Sequence, residues 1–424
     1  MRAAARTYFD GNAAAKRPAL LAVLLAWLVV IAPTPSHAAD RYYDVAFRAE
    51  IQPGRSLIRV ELTLTGERLP SRIEFHLDPT RHQAFTSTDP VSTKDNVVTW
   101  TPTGKQARIN YEFIANHERS PKRYDSLVTK DWAVFRGDKL VPRIAVTSRP
   151  SLKGRTTLEF ALPKDWTAAA AYPQEGPVFK IDDPERRLDR PAGWILAGKL
   201  GKRSEIIKGI QTIVAAPAGE STRRQDILAF LNWNLPHLKQ VFATMPKRLL
   251  IVCAGDPMWR GGLSGPDSLF LHSDRPLISE NRTSTLLHEL VHVAMGIRGD
   301  EESDWIVEGL AEYYSLEILR RSGGIGRARH EAALERMTDW ARRSPNVFTQ
   351  QSSGASTARA AVALRAADLE IRATSEGRAS LDDVASDLAK RGGEVTLELL
   401  QRAAREAAGK EVHALTRQRL MAAP

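Results

Sequence analysis

The residues best suited to chemistry are His288-Glu289-Leu290-Val291-His292, with Glu308 sixteen positions beyond the second histidine. Histidines four apart project from the same side of a helix, so both imidazoles can reach one metal ion. Thr283 to Met295 has helical character, and Leu286, Leu287, Leu290 and Val291 supply an apolar face. Glu289 would stand beside the metal's open position, where a carboxylate can take a proton from bound water. Glu308 lies in Trp305-Ile306-Val307-Glu308-Gly309-Leu310-Ala311-Glu312-Tyr313-Tyr314, which reads as a second helix. Gly296 to Asp304 supplies the turn that lets it pack back on the first. Two nitrogens and one carboxylate oxygen are the ligand set of a catalytic zinc site. We therefore expect a single Zn2+ per chain on His288, His292 and Glu308, with Glu289 as the catalytic base. The plainer alternative for the motif is a pair of surface histidines around a solvated glutamate. Glu312, one turn beyond Glu308, is expected to receive the second ring N–H of a ligating histidine, or else is a solvated helix charge.

HELVH and WIVEGLAEYY resemble the HExxH…NEGF(A/T)xY pattern of the M1/M61 group of metallopeptidases. The fifteen residues between His292 and Glu308 are fewer than M1 usually has. Gly261-Gly262-Leu263-Ser264-Gly265-Pro266 occupies the place of that group's GGMEN-type or GGLEH-type substrate strand. Asp368-Leu369-Glu370-Ile371-Arg372 and Ser380-Leu381-Asp382-Asp383-Val384 are similar to its LDxxIR…SLDDV stretch. The resemblance implies a gluzincin peptidase with substrate contacts at Gly262 and Ser264. No segment resembles the PDZ domain that many M61 members carry. Two departures bear on activity. Ser264 stands where the exopeptidases place a glutamate that grips the substrate amine, and Thr357-Ala358-Arg359-Ala360 stands where they have the tyrosine of YxKG. That tyrosine donates a hydrogen bond to the oxyanion, and no tyrosine follows Tyr314. Arg359 or His272 is the expected substitute, His272 being equally readable as an ordinary strand residue.

The elements that must position these residues give an α+β reading. Residues 39–216 read as a β-rich N-terminal domain with no catalytic constellation of its own. Ile58, Val60, Leu62 and Leu64 alternate with polar residues, and so do Ile73/Phe75/Leu77, Ile109/Tyr111/Phe113 and Leu158/Phe160/Leu162. Composition changes at Ala215 to Gly219. Residues 217–345 are expected to form a thermolysin-like catalytic domain. It opens with a helix capped by Ser221, then has strands at Leu249 to Val252 and around Ser268 to His272. Residues 346–424 read as a C-terminal helical region.

Residues 1–38 read as a signal peptide. Arg2, Arg6, Lys16 and Arg17 precede an apolar run from Ala19 to Ala32, and Ser36-His37-Ala38 offers small residues for cleavage after Ala38. The alternative is an uncleaved anchor. Export to a periplasm or beyond is the expectation, with no membrane span in the mature chain. Cys253 is the only cysteine, so no intramolecular disulfide can form, and its apolar strand argues for a core role. The formal charge of +10 falls to +7 without residues 1–38. Its arginines form no stripe interleaved with aromatics, which argues against nucleic acid as partner. The function expected is hydrolysis of a peptide or protein substrate by zinc-activated water. A zinc hydrolase of non-peptide substrates and a zinc-retaining binding module are the alternatives. Nothing in the sequence sets an oligomeric state.

Overall fold

The computed structural model describes residues 41–181, 187–349 and 351–422. The expected signal segment and its cleavage site lie outside the described residues. Strand alternation in the first half has its expected consequence. In Leu57–Thr65, Ile58, Val60, Leu62 and Leu64 are buried, while the residues between them are exposed or half-exposed. This strand is part of a seven-stranded sheet in which Tyr42–Ile51 pairs in parallel with Lys153–Ala161. A four-stranded sheet built around Arg72–His76 and Val97–Trp100 shares its core, where Phe47, Leu62, Phe75, Trp100 and Phe113 are all buried.

The sheet that supports the candidate site has five strands. In spatial order they are Leu200–Ile207, Ile210–Pro217, Arg248–Ala254, Ser268–His272 and Gly262–Gly265. Its central strands run parallel, and it ends on the antiparallel strand Gly262–Gly265. The composition change at 215–219 marks the turn between a strand and a helix, not the start of this sheet. The strand Leu200–Ile207 precedes the boundary expected at 216/217, and Ile210–Pro217 spans it by one residue.

Both faces of this sheet are covered, which is why Arg248–Ala254 reads as a continuous apolar run. Leu249, Ile251 and Cys253 face the helical core. Leu250, Val252 and Ala254 face Leu127, Val134 and Leu196 of a second five-stranded sheet. Burial pushes the Cys253 thiol up to about 12, as suits an inert core residue.

Arg224–Val241 and Thr285–Met295 pack on the helical side, followed by Asp304–Arg321 and the helices Arg327–Ala341, Ala355–Thr374, Leu381–Arg391 and Leu397–Ala408. Ser221 is not the cap of Arg224–Val241: the N-cap is Arg223, without a side-chain cap bond. The chain is thus α+β, with a β-rich N-terminal half and a helical C-terminal half. Among the described residues no helix is long and apolar enough to cross a membrane.

Candidate metal centre

The helix Thr285–Met295 starts where Ser284 accepts a hydrogen bond from the Leu287 N–H. It ends at Gly296, whose φ of 60° lets the chain turn away in a left-handed conformation. Leu286, Leu287, Leu290 and Val291 are buried in the core, which fixes the helix's rotation and turns His288 and His292 toward the next helix. A short strand, Ile297–Gly299, pairs with Gly393–Val395 and carries the chain into Asp304–Arg321. That second helix comes close to Ala355–Thr374 at Gly309. A Cβ there would lie 2.7 Å from the Ala360 Cβ, so the glycine beside Glu308 is needed for the approach.

These two helices bring the expected ligands together. His288 Nε2 and His292 Nε2 approach to 3.2 Å, and each lies 3.3 Å from a Glu308 carboxylate oxygen. One ligand atom from each of the three residues falls within 4.8 Å of the others, the arrangement of a metal-holding group. Glu312 Oε2 lies 3.0 Å from His288 Nδ1. With a metal bound in place of the Nε2 proton, accepting that N–H would direct the Nε2 lone pair at the common point. Burial disfavours a charged Glu308, but hydrogen bonds from His288 and His292 outweigh it and hold the carboxyl well below its ordinary range. Burial likewise opposes a charge on His288, and the neighbouring Glu308 and Glu312 carboxylates overcome it, raising the imidazole well above its ordinary value. The donor set fits zinc: two imidazoles and a carboxylate converge, with a carboxylate behind one ring.

Glu289 is 9% exposed and has no hydrogen-bond or ion-pair partner among the described residues. It lines a cavity of about 680 Å³ together with His288, His292 and Glu308. Gly262 and Ser264 line the same cavity on the edge strand, whose outer side carries no further strand among the described residues and meets Arg136, which donates to the Ser264 carbonyl at 3.4 Å. A Cβ on Gly262 would lie 2.5 Å from Glu289 Cγ and 2.8 Å from Thr285 Cγ2, so only glycine lets strand and helix meet there. The strand is anchored from the other side, where the Trp194 indole N–H donates to the Leu263 carbonyl at 2.9 Å. A second cavity of about 750 Å³ meets the triad from the helical side and shares His288 and Glu308 with the first.

Two expected residues lie elsewhere. His272 is only 1% exposed: its Nδ1 accepts the Asp274 N–H at 3.2 Å and its Nε2 lies 3.3 Å from Asp256, so it lines neither metal cavity. Arg359 is buried, donating to the Ser344 carbonyl at 2.6 Å and to the Ala422 carbonyl. Thr357 and Ala358, its predecessors on the helix, line the second cavity instead. Neither His272 nor Arg359 is therefore positioned to replace the oxyanion tyrosine. Tyr313 and Tyr314 donate to Asp368 and Asp382, and no tyrosine is among the residues lining either cavity.

Sequence reading also missed a wall. The N-terminal half contributes His117, Arg119, Arg136 and Trp194 to the first cavity. His117 and Arg119 share the strand His117–Ser120, Arg136 and Trp194 come from two other strands, and no spacing pattern could have joined the three. Trp259 lines both cavities, with the Arg119 guanidinium 5.4 Å from its ring centroid.

No protein-family model matches the sequence, and no curated protein does. Among solved structures the fold is similar to the crystal structure of an aminopeptidase N family protein from Idiomarina loihiensis. The TM-score is 0.63 at 16% identity, over 82% of this chain and 70% of that one. At that identity the likeness is one of fold.

Proposed function

We propose that this chain is a zinc-dependent peptidase of the gluzincin type, related to the M1/M61 group and exported with residues 1–38 removed. The division at 216/217 and 345/346 into N-terminal, catalytic and helical regions belongs to the same proposal. One observation carries the reading: His288, His292 and Glu308 converge on one point while Glu289, unpaired, faces the same cavity beside a free sheet edge.

Zinc, when bound, would polarise the scissile carbonyl and make water acidic enough to attack near neutral pH. The remaining work falls to this chain's residues. The strand Gly262–Gly265 has no further strand beside it among the described residues, and an extended peptide that displaced the Arg136 contact to the Ser264 carbonyl, 3.4 Å long, would add to the sheet by main-chain hydrogen bonds. Glu289 takes the proton from the attacking water and returns it to the departing amine as the C–N bond breaks. Glu312 holds His288 in the ligating tautomer. The free sheet edge favours a peptide over a non-peptide substrate. No carboxylate stands at Ser264 to grip a free α-amine, so the enzyme is expected to be a poor general aminopeptidase that cleaves N-blocked peptides comparatively well.

Glu289→Gln tests the assignment. It removes the base and leaves every ligand in place, so zinc content should be unchanged while kcat falls by roughly 10²- to 10⁴-fold. A variant with both zinc and full turnover would remove Glu289 from the mechanism.

A further inference from the structure

The charges around the triad are not evenly spent. In the first cavity, Arg81 is used on the Ile114 and Ala115 carbonyls, and Arg136 is clamped by Asp138 through two hydrogen bonds. Lys139 and Arg298 also line this cavity, and neither side chain has a partner among the described residues. Arg119 has only the face of Trp259. In the second cavity, Arg343 is unpartnered and Arg336 has one long contact, 3.5 Å to Asn281.

The carboxylates follow the opposite pattern. Asp125 is held by His117 at 2.7 Å, and Asp304 accepts the Ser352 N–H at 2.6 Å. Asp339 is taken by Arg342 at 2.7 Å, and Asp78 accepts two hydrogen bonds from Thr80. Glu308 and Glu312 belong to the histidines. Apart from Glu289, the charged side chains of the two cavities with no hydrogen-bond or ion-pair partner among the described residues are cations, Arg119, Lys139, Arg298 and Arg343, and they lie on both sides of the triad. Cationic groups whose donors are unspent can take a ligand's carboxylates through charge-assisted hydrogen bonds, and guanidinium groups suit carboxylates best.

We propose that the cleft selects acidic peptides. Aspartate or glutamate side chains on one side of the scissile bond would meet Arg119, Lys139 and Arg298, and those on the other side would meet Arg336 and Arg343. This rests on the peptidase reading for the path of the chain, but not for the charge preference. It also fits Ser264, since a site built for carboxylates has no use for an amine-binding glutamate there.

The test separates binding from turnover. Zinc-loaded Glu289→Gln protein is titrated by calorimetry with end-blocked peptides of one sequence frame carrying Glu, Gln or Lys at the charged positions. The Glu peptide should bind at least about tenfold more tightly than the Gln peptide, the scale of one charge-assisted hydrogen bond, with the Lys peptide weakest. The advantage should shrink as salt rises and in Arg298→Gln and Arg336→Gln/Arg343→Gln proteins. Equal affinity for Glu and Gln peptides, no binding of any peptide, or displacement of the Glu peptide by an oligonucleotide at lower concentration would each overturn the proposal. Wild-type turnover of the same peptides distinguishes the two readings. Cleavage without charge preference would leave the peptidase standing and remove this inference. Charge-selective binding without cleavage would do the reverse.

Discussion

Two clusters of ionisable side chains lie on the helix Asp304–Arg321, and they are built on opposite plans. At its C-terminal end, Arg321 donates to Glu317 at 2.9 Å and to both Asp382 oxygens at 2.7 and 3.0 Å. Tyr314 donates to the same Asp382, while Tyr313 and Arg372 share Asp368. Every group there is answered by another. At the N-terminal end, Glu308 and two imidazole nitrogens from the preceding helix touch one another and converge on one point, and Glu289 beside them has no hydrogen-bond or ion-pair partner among the described residues. A saturated network ties helices together. A cluster that gathers metal-ligating atoms at one point beside an unpartnered buried carboxylate is instead suited to an ion and a reactant, because a buried polar group left without a partner is costly.

Mutations at the two ends should therefore fail differently. Glu308→Ala removes one of only three protein ligands and should abolish zinc retention and with it activity, in protein that still folds. Glu312→Ala should weaken zinc affinity by the smaller factor of roughly 10–100 expected of a residue that orients a ligand. Equilibrium dialysis against zinc measures both, and equal losses would dissolve the distinction between ligand and support.

Gly262→Ala is next. Its Cβ would displace Glu289 while the triad stays intact, so kcat should fall about 10²-fold with zinc content unchanged. Unaltered kinetics would show that the base tolerates the crowding.

Arg321→Ala should have the smallest effect on the site. It leaves Asp382 partly buried without its cation, while Glu317 keeps Arg320, and should cost about 3 kcal/mol of stability in a denaturant titration. Turnover per folded molecule should be unchanged; a loss of turnover without loss of stability would mean that the two clusters are coupled.

The same contrast explains what was legible beforehand. The grouping of His288, His292 and Glu308 could be read because each sits on a helix whose phase is fixed by a local apolar stripe. Glu312 followed from one further turn of the same helix. His272 could not be read, because Ser268–His272 is buried on both faces and alternation cannot say which way a side chain points. Arg359 failed by phase: one residue along a helix is a rotation of about 100°, enough to leave Thr357 and Ala358 at the cavity and send Arg359 to the Ser344 carbonyl. The composition change at 215–219 coincides with the end of the strand Ile210–Pro217, and composition alone does not show that this strand and Leu200–Ile207 pair into the sheet below the candidate site. The cationic wall was illegible for a different reason: Arg119, Lys139, Arg298, Arg336 and Arg343 are far apart in sequence, and only the tertiary fold gathers them.

Metal analysis of the purified protein tests the central claim most directly. After extensive dialysis the account predicts about one zinc per chain by elemental analysis. It also predicts peptide hydrolysis that a chelator abolishes and added zinc restores. A metal-free protein that hydrolyses peptides at the full rate would contradict it.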